Sequence, residues 1–260
     1  GLLDDKKDLN SYLKFVLMIL ILILGLKLEP DLQLSLIKFS FLESQINLGN
    51  FSIPFTILSF LLFINAFNML DGIDGLVGLV ALSASTVISI LAWLRNEEGI
   101  LFLGSLVLII FLIFNLGFLG KKRKIFLGDS GSMWVGFITA WFLIIISSSE
   151  NVNMIKPVNA LWLVSIPLID ALSTFITRLS QRKSIFTGDR SHIHHMMLDA
   201  GLLKSQVLSI LFIFSIASSG ALLFFVLNSV EEKFQFYGFL TVWLVYYLII
   251  KYPLSKKKIK

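Results

Sequence analysis

Eight long apolar stretches run through the chain, at Tyr12–Leu28, Ser52–Leu70, Leu76–Leu94, Ile100–Leu119, Ser132–Ser148, Val158–Leu179, Gln206–Leu227 and Gln235–Tyr252. Each approaches the roughly 20 residues that an α-helix needs to cross the hydrocarbon core of a bilayer. Once buried in lipid, a backbone must satisfy its own hydrogen bonds, which leaves helices or a closed barrel. No alternating strand series of the barrel type is present. The expected fold is therefore all-α, a polytopic transmembrane helix bundle of about eight spans. Scattered Ser, Gly and Ala within the spans suit close helix packing in lipid. Between the first two spans, Leu32, Leu34 and Leu36, followed by Lys38 and Ser40, partly alternate, which predicts a small surface hairpin between Asp31 and Asn50.

Composition agrees with this and excludes other classes. Of 260 residues, 56% are hydrophobic and 15% charged, against roughly 25% charged in soluble domains. A soluble or disordered chain and a nucleic-acid-binding surface are excluded. There is no cysteine, so thiol catalysis, iron–sulfur clusters and Cys-based zinc sites are excluded as well. The chain starts at Gly1 without a basic-then-apolar leader, and residues upstream are expected.

The basic residues assign direction. With the N-terminus inside, 17 of the 22 Lys and Arg residues fall on one side, leaving Lys27, Lys38, Arg95, Lys156 and Lys233 on the other. The positive-inside rule places the rich side, and both termini, in the cytoplasm. Four polar clusters collect on that same side: Asp4, Asp5 and Asp8; Asn65, Asn68, Asp71 and Asp74; Phe126 to Ser132 around Asp129; and Asp189 to His195. Ionisable residues near lipid are costly and tend to serve a function, so their sorting to one face points to a site there.

Each cluster has a chemical reading beside a plainer one. Asp74 either caps the helix that follows or joins Asp71 and Asn68 as hard oxygen ligands for magnesium or as substrate contacts, one helical turn apart. Ser130 and Ser132 can cap the next helix, and Asp129 beside that helix start reads as a magnesium ligand at a phosphate site. Lys121 to Lys124 either meet anionic lipid heads or attract a polyanion. His192, His194 and His195, with Arg190, are all of the chain's histidines in one basic loop. Phosphate contact fits them better than zinc. Asp170, inside the sixth stretch and below Pro167, suggests an intramembrane ion pair with Arg178, or bundle packing, at least as much as catalysis. No P-loop signature occurs.

These four motifs, in this order and spacing, resemble those of the polyprenyl-phosphate N-acetylhexosamine-1-phosphate transferases, over nearly the whole chain. The form Asp189-Arg190-Ser191-His192-Ile193-His194-His195 is similar to the bacterial branch that loads N-acetylglucosamine-1-phosphate from UDP-GlcNAc onto undecaprenyl phosphate. It is less similar to the phospho-MurNAc-pentapeptide branch, which remains the alternative. The resemblance implies one integral-membrane transferase domain over residues 1–260, at the cytoplasmic face of the bacterial inner membrane, with about three further helices preceding Asp4. It also implies magnesium, with manganese as a substitute, held by Asp129 and Asn68. Arg190, His192, His194 and His195 would bind phosphate, and Asp74, Phe126 and Asn115 the uracil ring. Asp4 or Asp5 would stand at the lipid phosphate, and Asp4, Asp5, Asp71, Asp74 and Asp129 form the catalytic set. The implied partners are a UDP-N-acetylhexosamine, undecaprenyl phosphate and membrane lipid, not nucleic acid, and a homo-oligomer is left open. The implied product starts O-antigen, enterobacterial common antigen or teichoic-acid linkage units. Two other readings are a secondary transporter and an inactive fragment.

Overall fold

The computed structural model describes residues 10–39, 41, 45–96, 100–148, 155–182 and 191–251. Ten α-helices are described: α1 (Ser11–Leu28), α2 (Ser52–Leu70), α3 (Leu76–Leu94), α4 (Ile100–Asn115), α5 (Gly128–Ser148), α6 (Pro157–Leu163), α7 (Ser165–Ser180), α8 (Ile193–Asp199), α9 (Lys204–Leu227) and α10 (Glu232–Tyr246). All eight apolar stretches are helical for most of their length, and the protein is an all-α, multi-pass membrane bundle. The expected count of eight spans is not reproduced. Among the described residues, four helices are long and apolar enough to cross a membrane, and five if α6 and α7 form one broken span.

That break has a local cause. The axes of α6 and α7 differ by 90°, and Pro167 sits in the first turn of α7. A proline has no N–H to give to the carbonyl four residues back, and its ring clashes with it. The carbonyl concerned is that of Leu163, the last residue of α6, so the sixth stretch bends instead of running straight from Val158 to Leu179.

The hairpin is present as β1 (Leu36–Ile37) paired antiparallel with β2 (Ile46–Asn47), Leu36 opposite Asn47 and Ile37 opposite Ile46. It is tied to the start of α2. The Leu34 N–H donates to Thr56 Oγ1 (2.9 Å), and Ser52 Oγ donates to the Leu34 carbonyl (2.7 Å).

The core centres on α3, about two-thirds buried, whereas α9 is about a quarter buried and leaves most of its apolar surface outward. Phe67, Leu70, Leu76, Val77 and Val80 form one cluster with Leu143, Leu211 and Leu222. A second joins Leu22 and Leu26 to Phe60, Ile64 and Ala140, and a third joins Leu168 and Ile169 to Phe239 and Tyr246. Apolar surface alone does not hold helices together in lipid, so small residues and interhelical hydrogen bonds add specificity. Ser83 of α3 bonds Ser215 of α9, and Ser105 of α4 donates to Ser85 (3.0 Å). Gly136 of α5 lies against the backbone of α2, where a Cβ would stand 2.8 Å from Ile64 Cα and 2.9 Å from the Phe63 carbonyl oxygen.

Candidate active site

One end of the bundle gathers the C-terminus of α2, the N-termini of α3, α5 and α9, the end of α4, and α8. At the end of α2, Asp71 closes the helix, its N–H donating to the Asn68 carbonyl (3.2 Å). Buried Leu70, Ile73 and Leu76 pin the loop from below, which leaves Asp71 and Asp74 at the surface of the core. Asp74 does not cap α3. Gly75 occupies that position with φ +83°, a conformation natural to glycine, and a Cβ there would stand 2.5 Å from Leu116. Asp74 instead accepts from Lys124 Nζ at 2.6 Å, so at least one lysine of the Lys121 to Lys124 run faces the site.

On the neighbouring helix, α5 starts at Gly128, so Ser130 and Ser132 lie inside its first turns rather than capping it. Ser132 Oγ donates to Asn68 Oδ1 (2.7 Å) and to the Gly128 carbonyl (3.0 Å), linking two of the sequence clusters. The Asp129 side chain is 47% exposed and stands 3.5 Å from Lys14 Nζ of α1. Burial, then the charges of Asp129 and Asp74, push the Asp71 carboxyl from its ordinary 3.8 up to about 6. The three carboxylates therefore share one field. Among the described residues, no three Asp, Glu or His side chains converge closely enough to hold a metal on their own. Hard carboxylate and amide oxygens gathered beside a cleft fit a magnesium ion, which keeps several waters and uses one or two protein carboxylates plus substrate phosphates.

A cleft of about 240 Å³ opens beside these acids, lined by Asp71, Asp74, Asn115, Phe126, Gly128 and Lys204, with Gly72, Ile73 and Leu127. Asn115 is 3% exposed. Its Nδ2 donates to the Ile125 carbonyl (2.9 Å), while its buried Oδ1 accepts no hydrogen bond. Phe126 is 71% exposed, and Lys124 Nζ lies 5.4 Å from the centre of its ring.

The histidines pack against the same loop. His194 is fully buried, and a Cβ added to Gly72 would fall 2.1 Å from His194 Nε2. The rings of His194 and His195 are 4.1 Å apart, centre to centre. Gly72→Ala is therefore expected to displace His194 and to destabilise the protein by about 1–3 kcal/mol. Thermal melting in detergent tests this, and an unchanged melting temperature would refute the contact.

His192 is held from outside the loop, its Nδ1 2.8 Å from Asp170 Oδ2. Asp170 Oδ1 also accepts from the Ile193 N–H (3.0 Å) and Tyr246 OH (3.0 Å), with Lys251 Nζ at 3.5 Å. The ion pair that forms thus runs to Lys251, not to the expected Arg178. Sequence reasoning placed Lys251 among the cytoplasmic surface charges and passed over Tyr246. The one signal was a lysine set in an otherwise apolar run. Of the expected site residues, Asn68, Asp71, Asp74, Asn115, Phe126, Asp129, His192, His194 and His195 lie at this end, and Asp4, Asp5 and Arg190 fall outside the described residues.

Fold and site together define a polytopic α-helical membrane protein whose acidic loops and histidines meet beside a cleft at one end. Residues 1–147 match the model of glycosyl transferase family 4, and the chain belongs to that family. Relatives from several bacteria carry the name undecaprenyl-phosphate alpha-N-acetylglucosaminyl 1-phosphate transferase, three of them as follows. The Haemophilus influenzae protein is 34% identical over 252 residues, covering 95% of this chain and 70% of that one. The Escherichia coli O157:H7 protein is 32% identical over 213 residues, and the Salmonella typhi protein 28% over 209, each covering 79% of this chain and 56% of the relative. The chain thus spans little more than half the length of these last two. None of the three names is that of the muramoyl-pentapeptide branch, and family membership speaks against a transporter.

Proposed function

We propose that this chain carries the core of an enzyme that transfers GlcNAc-1-phosphate from UDP-GlcNAc to undecaprenyl phosphate. The reaction would take place at the cytoplasmic face of the bacterial inner membrane, releasing UMP. The observation that carries this reading is the cleft, in which a buried, unmatched acceptor, Asn115 Oδ1, stands beside an exposed aromatic ring and a cluster of carboxylates. A uracil ring offers an N–H to such an acceptor and a face to Phe126, and the cleft's volume suits one ring rather than a whole ligand.

The residues divide the work. An oxygen of the lipid phosphate attacks the sugar-bearing phosphorus, the bond from that phosphorus to the bridging oxygen breaks, and UMP leaves with the electron pair. Such a transfer asks mainly for positioning and charge neutralisation. A lipid phosphate monoester, with a second pKa near 6, is already largely ionised at neutral pH, so direct attack needs little help from a base, and Asp5 would align the acceptor. Asp129, with Asn68 and Asp71 nearby, would hold magnesium, which when bound screens the diphosphate and favours departure of UMP. Lys204 and Lys124 bring positive charge to the cleft, while Arg190 and the histidines would meet phosphate oxygens.

The test is magnesium-dependent release of UMP from UDP-GlcNAc by the detergent-purified chain, with and without undecaprenyl phosphate. The expected result is release only with the lipid acceptor. A burst of UMP without acceptor would overturn direct attack, and faster turnover of UDP-MurNAc-pentapeptide than of UDP-GlcNAc would overturn the sugar assignment. Asn115→Ala is expected to raise KM for UDP-GlcNAc about tenfold with little change in kcat, the size of one net hydrogen bond.

A further inference from the structure

We propose that Lys251 and Tyr246, at the end of the last helix, are positioning residues that latch the histidine segment in its working geometry. The inference deepens the proposed function and rests on it only for the activity measurement. Lys251 is completely buried, and a buried ammonium is costly unless it is paired and fully hydrogen-bonded. Here its Nζ donates to Thr174 Oγ1 (2.7 Å) and to the Ser191 carbonyl and stands 3.5 Å from Asp170 Oδ1. Two of these three partners bear on the histidines. Ser191 directly precedes His192, and Asp170 grips both the His192 ring and the Ile193 N–H.

Backbone geometry explains how one helix end reaches both places. Lys251 lies five positions after Tyr246, and on a regular α-helix of 3.6 residues per turn the two would point about 140° apart. Residues Tyr247–Lys251 form a π-helical turn. Its wider winding, closed by hydrogen bonds between residues five apart, carries positions five apart toward one face. Tyr246 and Lys251 accordingly converge on the same oxygen of Asp170. That carboxylate, beside the ammonium, acts as acceptor to all its partners. His192 therefore donates through Nδ1, with the ring orientation set by the carboxylate. Without the latch, Asp170 retains its contacts to His192 and Ile193 but loses the groups that hold it in place.

The chain contains only three histidines, all in this segment, so any histidine signal reports on it alone. The 260-residue chain with ¹⁵N-labelled imidazoles is to be compared with Tyr246→Phe, which removes one hydroxyl, and with Lys251→Met. Both variants are expected to shift the His192 Nδ1–H resonance and to speed modification of the histidines by diethyl pyrocarbonate about tenfold, and to lower kcat for UMP release. Parent-like histidine resonances and modification rates in Tyr246→Phe would overturn the proposal. So would a lowered melting temperature with unchanged histidine signals, which would mark the network as scaffold only. Should Lys251→Met fail to fold, Tyr246→Phe decides. Because the histidine readout needs no turnover, a parent without UMP release would count against the proposed function and leave this inference to be judged separately.

Discussion

Asp129→Asn is expected to lower UMP release by about 10²–10³-fold, the range found when a single charge-stabilising group is removed from a reacting centre, while leaving the fold intact. The two halves of that expectation have separate grounds. Asp129 opens the α5 helix at the edge of the cleft end, close enough to Asp71 for its charge to be felt there, and the proposed chemistry needs a hard anionic oxygen at that place. Structurally it is cheap to alter, because its side chain is 47% exposed and its ion pair to Lys14 is 3.5 Å long. Partly exposed pairs of this kind contribute about 0–1 kcal/mol. Steady-state kinetics and a melting curve on the same preparation check both. Retention of more than a tenth of parental activity would remove Asp129 from the mechanism.

Asp71→Asn is expected to act in opposite directions on stability and on catalysis. The Asp71 carboxyl is raised from 3.8 to about 6 by burial and by its neighbours, so between those two pH values the folded protein holds a proton there that the unfolded chain has given up. Stability from this group is greatest below pH 3.8, falls as pH rises through 6, and stays low above that. The full difference is at most about 3 kcal/mol, and less once solvent screening of this partly exposed group is included. With divalent cations chelated, the amide variant should therefore melt several degrees above the parent at pH 7.5, and the gap should close near pH 4. Adding magnesium should stabilise the parent more than the variant. UMP release by the variant should nevertheless fall at least tenfold. A variant that melts lower than the parent at pH 7.5 would show that Asp71 is not under electrostatic strain.

Much of the architecture was legible because lipid leaves a chain few choices. Apolar runs had to be helices, and the sorting of Asp and His to one side followed from the same logic. The hairpin between Asp31 and Asn50 was readable from alternation. What could not be read was the role of side chains that act through distant partners. Asp74 carries the sequence mark of a helix cap, yet Gly75 takes the cap because the chain turns there at positive φ. Asp170 had Arg178 on its own helix, but its ion-pair partner is Lys251, 81 residues away in sequence. That pairing depends on a widened turn that no periodicity announces. The bend between α6 and α7 was not legible either: the stretch from Val158 to Leu179 reads as one span, although Pro167, whose missing N–H faces Leu163, was in view.

The contact at Gly136 gives the cleft an unusual origin. The two helices that meet there backbone to backbone, α2 and α5, are also the ones that carry Asp71 just past the end of one and Asp129 in the first turn of the other. Gly136 lies eight residues into α5, about 12 Å below the loops, so the pair works like scissors pinned within the bilayer. The aperture that an aqueous nucleotide sugar would meet is gauged by a missing side chain in the lipid phase. Bulk added at the pivot would spread the acidic blades without touching either of them.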